Sequence, residues 1–587
     1  MDIGSVGPAL FAATEAFARR DQESVLRQAR VLGLVTASDE SPKPARAVVF
    51  LDVGDASTDG LAERHGIELN HGEGPVRTAI VPIESIDGLS EDPTVRRITG
   101  SRPMRALLDV ARTSVRVPQF VTRTHLTGKG VIIGVVDTGI DPNHPAFAGR
   151  ILSIWDQQMH GPGVLEGHYG KELAGADLTL SRDDDGHGTH VSGIAAGRDP
   201  EFGGLAPDAE LVVVRSDLSD AHITDGIRYI ARVARQHGRP CVINLSVGGH
   251  WDAHDGTDSL STAVDGISGA GCIVCTAAGN EGNDAIHART TVSAGRTTTI
   301  HASVHAPRGA SEPEVVYFNG WYSGDDELEV GVASPGGHQT PFQPLFRTGN
   351  PARNYTLPDG TITVVTGRRD AGNHDHQFLV YVNPRAGRRT VKGGTWRLRL
   401  RGVNVVNGRV DVWLIDDSEE GAARFTGPAV EDDTKVGSPG AATNALTVAC
   451  YTTKNSWTDV DGDGWIVAHD VRDITDISSE GPRRDGVEKP DLAAPGAMIA
   501  SALSADSTAE RADMLDDTHV VMSGSSMASP FVTGLVALML EKDATLTPDG
   551  AREALRKASR VPHRRAGSFD RKWGYGLINA DGLLKSQ

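Results

Sequence analysis

Cysteine, excess basic charge and long apolar runs are all scarce in this sequence. Only four cysteines occur among 587 residues, which excludes a disulfide-rich framework. The formal net charge of −19 argues against a nucleic-acid partner. No apolar run approaches the roughly 18 residues of a membrane span, and no basic segment with an apolar stretch marks a Sec-type signal peptide. We therefore expect a soluble protein without a membrane partner, cytoplasmic by default, with non-classical export left open.

The four cysteines carry no recognisable metal or redox pattern. Cys241, Cys272, Cys275 and Cys450 all fall in apparent core strands, where buried thiols are expected. Cys272 and Cys275 have CxxC spacing, but neither a second pair nor a redox-type helix start accompanies them. Metal or disulfide chemistry is therefore not expected at these residues.

The segment Gly-Ser-Ser-Met-Ala-Ser-Pro at 524–530 predicts a nucleophile. It puts Ser526 where a loop turns into a helix, and the unpaired N–H groups of a helix N-terminus stabilise developing negative charge. A serine hydroxyl is a poor nucleophile at neutral pH, so an imidazole must accept its proton. His187, in Asp-Gly-His-Gly-Thr-His at 185–190, is the candidate base, whereas His190 is expected to pack within a helix.

A buried carboxylate is needed to orient such an imidazole, and Asp137 fits that role. It follows the apolar run 131–136, which is typical of a buried parallel strand. Functional side chains in open α/β sheets gather at the carboxyl ends of strands. A lone aspartate after a strand is usually a turn former, and a lone Gly-x-Ser is usually a loop, so the prediction depends on the joint occurrence of these segments.

Together these segments resemble the subtilisin-like serine proteases (subtilases, peptidase family S8), in which the chain order Asp, His, Ser is the same. The segment Thr-Ala-Ala-Gly-Asn-Glu-Gly at 276–282 is similar to the oxyanion turn of that family. The resemblance implies that Asn280 donates its side-chain amide to the oxyanion, with the backbone N–H of Ser526 as second donor. Ser525 departs from the family, in which threonine is commoner beside the nucleophile.

The segment Val-Ile-Asn-Leu-Ser-Val-Gly-Gly at 242–249 also resembles a family motif. By this resemblance Ser246, Val247 and Gly248 offer an open strand edge, to which an extended polypeptide substrate adds as a β-strand. Ala278 and Gly279, next to Asn280, complete the predicted substrate-binding residues. Such an edge contacts the backbone of the substrate rather than its side chains.

Motif spacing predicts an insertion. His187 and Asn280 are 93 positions apart, a normal length for this core, but Asn280 and Ser526 are 246 apart. Between 287 and 433 the sequence has short, often alternating apolar runs separated by Gly, Pro, Asn and Asp, which indicates an all-β domain such as a β-sandwich or jelly roll. It resembles the jelly-roll insert of bacterial germination-type subtilases, and its role is left open between rigidifying the core and binding a partner.

The N-terminal part alternates strand and helix signals over residues 36–110 and resembles the small α+β propeptide of subtilases. The resemblance implies an inhibitor and folding aid that binds the active cleft, with cleavage between about Thr99 and Thr122. Residues 1–35 are predicted to form amphipathic helices. The catalytic domain is then divided into residues 111–286 and 434–587.

One loop crowds carboxylates in the manner of calcium loops: Asp459, Asp461 and Asp463, in Asp-Val-Asp-Gly-Asp-Gly. It lacks the distal bidentate glutamate of an EF-hand, so a hydrated turn and a structural Ca²⁺ site both remain open. The run Asp183, Asp184 and Asp185 is a weaker candidate and is predicted to be a solvated approach to the His187 helix.

The sequence thus predicts an α/β fold: a subtilisin-like, doubly wound, mostly parallel sheet, interrupted by an all-β insert and preceded by a propeptide-like α+β domain. The resemblance implies a serine endopeptidase that acts on polypeptides through an acyl-enzyme, needs no cofactor for catalysis and is made as a self-processed zymogen. The alternative is a non-catalytic, subtilase-like binding protein, which the complete set Asp137, His187 and Ser526 disfavours.

Overall fold

The computed structural model describes residues 6–7, 10, 14, 34–35, 46–54, 56–70, 74–100, 105–106, 115–305, 315–347, 350–388, 390–416 and 423–584. The chain forms two compact units. One consists of residues 1–69, 75–102 and 284–433, and the other of residues 70–74, 103–283 and 434–587. The predicted propeptide-like segment and the predicted insert thus fall largely in one unit, and the five-part division of the chain stays a prediction.

The N-terminal segment forms a five-stranded antiparallel sheet. The strand β2 pairs with β4 along one edge and with β1 and β5 along the other, while β3 extends the sheet beyond β4. Its elements are β1 (Leu34–Val35), β2 (Arg46–Asp52), α1 (Leu61–His65), β3 (Glu68–Leu69), β4 (Val76–Pro82), α2 (Ile86–Ser90) and β5 (Arg97–Gly100). The predicted helices of residues 1–35 lie almost wholly outside the described residues, of which Leu10 and Thr14 are helical.

The first part of the second unit alternates strands with helices, as a doubly wound fold requires. Its strands are β6 (Arg105–Ala106), β7 (Ile132–Asp137), β8 (Ile151–Asp156), β9 (Lys171–Leu173), β10 (Glu210–Arg215), β11 (Cys241–Leu245), β12 (Val247–Gly248) and β13 (Cys272–Ala277). Its helices are α3 (Val117–Thr124), α4 (His187–Ala196), α5 (Asp220–Gln236) and α6 (Ser259–Ile267).

The segment from 287 to 426 is all β in its described residues. Its strands are β14 (His287–Thr291), β15 (Thr297–Val304), β16 (Val316–Tyr322), β17 (Glu327–Ala333), β18 (Ala352–Leu357), β19 (Gly360–Arg369), β20 (His376–Asn383), β21 (Gly394–Asn404), β22 (Arg409–Asp416) and β23 (Ala423–Thr426). They form two antiparallel sheets, of order β14-β22-β16-β20-β19-β18 and β17-β21-β15-β23. Both sheets contribute to one apolar core, in which Trp396, Leu398 and Leu400 of β21 are fully buried.

The chain then returns to the second unit. Its remaining strands are β24 (Leu446–Thr452), β25 (Ser456–Thr458), β26 (Gly464–Ile466), β27 (Leu492–Ala497), β28 (Ile499–Ala502), β29 (Met514–Asp516), β30 (His519–Met522), β31 (Ser559–Arg560) and β32 (Leu577–Ile578). The last helices are α7 (Ser525–Lys542) and α8 (Pro548–Ala558). None of the helices in the described ranges has the length and apolarity needed to span a bilayer.

A ten-stranded sheet of order β31-β32-β27-β24-β13-β11-β7-β10-β8-β9 organises this unit. Its pairs from β32 to β8 are parallel, and only the outermost pair at each end is antiparallel. Helices cover both faces, so Ile133 and Val135 of β7 join one apolar cluster while Ile132 and Val136 join another. Burial on both faces explains why these strands are continuous apolar runs in the sequence.

The helices α4 and α7 pack closely on one side of this sheet. Gly534 of α7 allows the approach, because a Cβ there would lie 2.6 Å from the Cβ of Leu205 and 3.0 Å from the carbonyl oxygen of Ala195. The N-terminal residues of these helices include His187 and Ser526.

Candidate active site

Asp137 and His187 form a buried pair. Asp137 is the last residue of β7, and its Oδ1 lies 2.5 Å from Nδ1 of His187, the first residue of α4. The same oxygen accepts the backbone N–H of Thr138 at 2.8 Å. Both side chains are almost inaccessible to solvent. Contact with the carboxylate keeps the proton on Nδ1 and leaves Nε2 as the acceptor of the imidazole ring.

Asp183 fastens the turn after β7 to the start of α4. Its carboxylate accepts hydrogen bonds from the hydroxyl of Thr138, the backbone of Gly186, and both the backbone and the hydroxyl of Thr189. Burial raises the pKa of Asp183 although these bonds favour the carboxylate. The predicted solvated run is therefore wrong for Asp183, which is fully buried.

Ser526 is the second residue of α7 and is fully buried. Its hydroxyl donates to the carbonyl oxygen of Ser246 at 3.1 Å, and the hydroxyl of Ser246 donates to the carbonyl oxygen of Ser526 at 2.5 Å. On the other side, the backbone N–H of Gly524 donates to the carbonyl oxygen of Gly496 in β27 at 2.8 Å. The start of α7 is thus held between the chain that follows β11 and the end of β27.

Asn280 lies next to this helix start. Its Oδ1 accepts the backbone N–H of Ser525 at 2.9 Å and the Ser525 hydroxyl at 2.8 Å. Two donors fix the carbonyl end of the amide at Ser525, so the amide nitrogen is the end that remains to donate elsewhere. A serine hydroxyl suffices for this contact, so the departure from threonine at position 525 leaves it intact.

Glu281 anchors the turn that carries Asn280, a role that the sequence motifs do not indicate. Its Oε2 accepts the backbone N–H of Asn280 at 2.8 Å and the hydroxyl of Ser479 at 2.9 Å, and lies 3.4 Å from Nε2 of His250. Burial alone would raise the pKa of Glu281, but these contacts, led by the one from His250, outweigh it and lower the pKa to about 2. The carboxylate is therefore charged throughout the neutral range.

The predicted substrate edge carries a strand of this same chain. Val247 and Gly248 form β12 and pair antiparallel with β6, Ala106 opposite Val247 and Arg105 opposite Gly248. Ser246 precedes β12 and contacts Ser526 directly. The backbone at 247–248 thus accepts an extended segment, whereas the part played by Ser246, Val247 and Gly248 in substrate binding stays a prediction.

Ala278 and Gly279 lie in the turn between β13 and Asn280. The backbone N–H of Ala278 donates to the carbonyl oxygen of Val448 at 3.0 Å, and that of Gly279 donates to the Ser525 hydroxyl at 3.1 Å. Both residues therefore help to position the turn, and their contact with substrate stays a prediction.

The predicted calcium loop is a turn in which two of the three carboxylates, those of Asp459 and Asp461, contact other groups of the protein. Asp459 accepts the backbone N–H groups of Asp461 and Asp463 through Oδ1 and the indole N–H of Trp465 through Oδ2. Asp461 forms an ion pair with Arg511. Within the described ranges, no group of three or more His, Cys, Asp or Glu side chains is arranged to hold a metal ion. The structure therefore shows a hydrogen-bonded turn here, and a structural Ca²⁺ site at Asp459, Asp461 and Asp463 stays a prediction.

The cysteines are free thiols. Burial raises the pKa of Cys275 and of Cys450 to about 12. Cys241 and Cys272 lie opposite each other on β11 and β13, with their sulfur atoms 3.4 Å apart. Cys272 thus has Cys241 as its neighbour rather than Cys275, its partner in the CxxC spacing.

Comparison with known proteins gives a consistent result. The chain matches the Subtilase family (peptidase S8) over residues 128–361 and 407–576. It is 33% identical over 211 residues to serine protease AprX of Bacillus subtilis, covering 33% of this chain and 43% of that protein. It is 34% identical over 166 residues to thermitase of Thermoactinomyces vulgaris, covering 27% of this chain and 50% of that protein. The chain spans less than two thirds of the length of such curated relatives.

Among solved structures, the CspB protease of Clostridium perfringens superimposes with a TM-score of 0.66 and 22% sequence identity. The match covers 80% of this chain and 96% of that chain. At this identity the likeness concerns the fold alone, which is subtilisin-like with mixed α/β sheets.

Proposed function

The chain belongs to the subtilase family, and from that premise we propose that it is a serine endopeptidase that cleaves polypeptides through an acyl-enzyme on Ser526. The observation that carries the proposal is the common location of four groups. Asp137 ends β7, Ser246 follows β11 and Asn280 follows β13. Ser526 contacts Ser246, and its neighbour Ser525 contacts Asn280. Neighbouring parallel strands bring their carboxyl ends to one edge, where ligands of such sheets bind.

In the proposed reaction the hydroxyl of Ser526 turns from the carbonyl of Ser246 towards the imidazole of His187, since catalytic hydrogen bonds often form only with substrate bound. Nε2 of His187 takes the proton as Oγ attacks the carbonyl carbon, and Asp137 stabilises the resulting imidazolium. The oxyanion accepts hydrogen bonds from the side-chain amide of Asn280 and the backbone N–H of Ser526. His187 then gives the proton to the leaving amine, and water repeats the cycle to release the acyl group.

We further propose a self-processed zymogen. The pairing of β6 with β12 supports it, because a segment of the chain's own N-terminal region occupies the edge assigned to substrate. Arg105–Ala106 also falls in the predicted cleavage window of about Thr99 to Thr122. The proposed partners are polypeptide substrates and this propeptide-like segment, and the proposed catalysis needs no cofactor.

Fluorophosphonate labelling tests the nucleophile. We expect an adduct on Ser526 in the processed protein and none in Ser526→Ala, because only an activated serine reacts with such a phosphonyl group. The Ser526→Ala chain should also stay unprocessed when made without other proteases. A properly folded, processed chain without an adduct would favour the non-catalytic binding protein, and processing of Ser526→Ala would exclude autocatalysis.

The oxyanion assignment has its own test. Asn280→Ala should lower kcat by about 10² to 10³ through loss of one hydrogen-bond donor. Ser525→Thr is the matched control, because it keeps the hydroxyl that faces Oδ1 of Asn280, and it should retain kcat within about threefold. If Asn280→Ala keeps the kcat of the wild type, Asn280 is not an oxyanion donor.

A further inference from the structure

One hairpin of the second unit exposes an aromatic face that the proposed chemistry does not use. This tryptophan hairpin, residues 456–466, consists of β25, β26 and the turn between them. Trp457 and Trp465 are cross-strand partners whose rings stack with centroids 6.5 Å apart. Trp465 is 43% exposed, whereas Ile466, which points to the opposite face of the same strand, is 80% exposed. Exposed tryptophan is enriched at binding surfaces because its large flat ring gains much contact area.

Hydrogen bonds attach the hairpin to the segment 512–514, which precedes β30. The indole N–H of Trp457 donates to the carbonyl oxygen of Ala512 at 2.7 Å. The backbone N–H of Val460 donates to the carbonyl oxygen of Met514 at 2.7 Å. Asp513 lies between Ala512 and Met514, and its carbonyl oxygen accepts the backbone N–H of Val521 in β30 at 2.8 Å. The tryptophan hairpin is therefore two strand spacings of about 5 Å, or about 10 Å, from β30. The strand β30 ends four residues before Ser526.

The strand order shows on which side of the nucleophile the hairpin lies. The neighbouring strands β11, β13 and β24 lead to Ser246, Asn280 and the tryptophan hairpin, in that order. The next strand, β27, contains Gly496. The edge at Val247 and Gly248 therefore lies on the β11 side of Ser526, and the hairpin lies on the β24 and β27 side. A segment that pairs with β12 in the same way as β6 runs, from its N-terminal to its C-terminal end, from Gly248 towards Ser246. The residues after a cleaved bond would thus continue towards the tryptophan hairpin.

The charge around the hairpin is negative. Residues 454–476 contain six aspartates against one lysine and one arginine. Asp463, Asp470 and Asp473 are exposed, and Asp461 is paired with Arg511. Carboxylates around an exposed indole favour a cationic side chain, which also interacts with the ring face itself.

We propose that the tryptophan hairpin binds the leaving-group side of polypeptide substrates, with an aromatic or aliphatic side chain on the indole of Trp465 and a lysine or arginine beside it. This inference rests on the proposed endopeptidase function. The residues between β30 and Ser526 add up to about 10 Å to the distance of about 10 Å between the hairpin and β30, so at about 3.3 Å per extended residue the hairpin is within reach of the third to sixth residues after the cleaved bond.

Four substrates with one common acyl-side sequence test the inference on the full chain. Three internally quenched peptides carry Phe-Lys, Phe-Gln or Gly-Ser pairs from the third to the sixth position after the cleaved bond, and a peptide anilide has no residue there. The wild type should cleave the Phe-Lys peptide with a kcat/KM about five- to tenfold higher than the Gly-Ser peptide. Trp465→Ala should reduce this ratio to about one, while its kcat/KM for the anilide stays within about twofold.

Ile466→Ser is the matched control, because it removes a more exposed apolar side chain from the opposite face of the hairpin, and it should keep the ratio of the wild type. Asp463→Asn leaves the hairpin bonds of Asp459 in place and should lower the preference for Phe-Lys over Phe-Gln about twofold to threefold. Equal cleavage of the Phe-Lys and Gly-Ser peptides by the wild type, or an unchanged ratio in Trp465→Ala, would overturn the inference. Absence of anilide hydrolysis in the wild type would instead contradict the endopeptidase function itself.

Discussion

Each unit of the molecule contains a buried histidine paired with a buried aspartate, and the two pairs differ in their place in the sheets. Asp137 is the last residue of the central parallel strand β7, and His187 is the first residue of the helix α4. His287 and Asp411 instead face each other within the antiparallel pair of β14 and β22, with Nε2 and Oδ1 3.1 Å apart. The same two residue types therefore support different roles according to their place in a strand.

The surroundings of the second pair explain its structural character. Arg289 and Arg409 also contact the carboxylate of Asp411, and the ring of His287 stacks on Trp413. Burial would raise the pKa of Asp411, but His287 and the two arginines outweigh it and lower the pKa to about 2. A carboxylate shared among two arginines and an imidazole stabilises the sheet, whereas one held by a single imidazole and a backbone N–H orients that imidazole.

Asp137→Asn should give the largest difference between the two pairs. An amide cannot hold the proton on Nδ1 of His187, so kcat for a peptide anilide should fall by about 10⁴. The melting temperature should change little by comparison, and both quantities are measurable on one purified sample. A fall of less than tenfold would remove Asp137 from the proposed chemistry.

Asp411→Asn should show the opposite pattern. It leaves the partly exposed Arg289 and Arg409 without their shared carboxylate, and we expect a loss of about 2 to 3 kcal/mol in the free energy of unfolding at pH 7, with kcat within about twofold of the wild type. The folded-state pKa lies below the ordinary value of 3.8, so the charged carboxylate stabilises the fold above that pH. The stability difference between wild type and variant, followed by denaturant unfolding, should therefore shrink as the pH falls from 3.8 towards 2.

Glu281→Gln should have the smallest effect, because Glu281 anchors a turn rather than a strand pair. The pKa of about 2 against an ordinary value of 4.5 means that its charge stabilises the fold above about pH 4.5 and that this contribution is lost towards pH 2. We expect a loss of about 1 to 2 kcal/mol at neutral pH. Glu201→Gln, at an exposed glutamate, is the control and should leave the unfolding curve unchanged; an equal effect in both variants would contradict the role of Glu281.

Local sequence predicts the strands and the nearby motif residues well. The apolar run before Asp137 forms β7, which is buried on both faces. Between 287 and 433 the alternating run of β21 has one buried face, whereas the apolar runs of β16 and β20 are buried on both. Such patterns follow from the side-chain period of each kind of strand, so no tertiary information is needed. The contact of Asn280 with the residue beside Ser526 agrees with the motif resemblance.

Contacts between residues far apart along the chain could not be predicted in this way. Asp183 is part of an acidic run, and only the fold shows that Thr138 and Thr189 surround its carboxylate. The ion pair of Asp461 with Arg511 could not be predicted for the same reason, because the two residues lie 50 positions apart. The pairing of Arg105–Ala106 with β12 likewise depends on register, which a two-residue strand does not encode by itself.

Gly534, which has no side chain, affects the position of the Ser526 hydroxyl. Even a methyl group there would meet Leu205 and the backbone of Ala195, and the two helices would have to move apart. Because α7 is a stiff rod, a displacement at its middle is passed on to its first turn, two turns away. A shift of about 1 Å at reacting atoms can slow a reaction a hundredfold, so the geometry of Ser526 depends on one hydrogen atom in place of a carbon eight residues further along the chain.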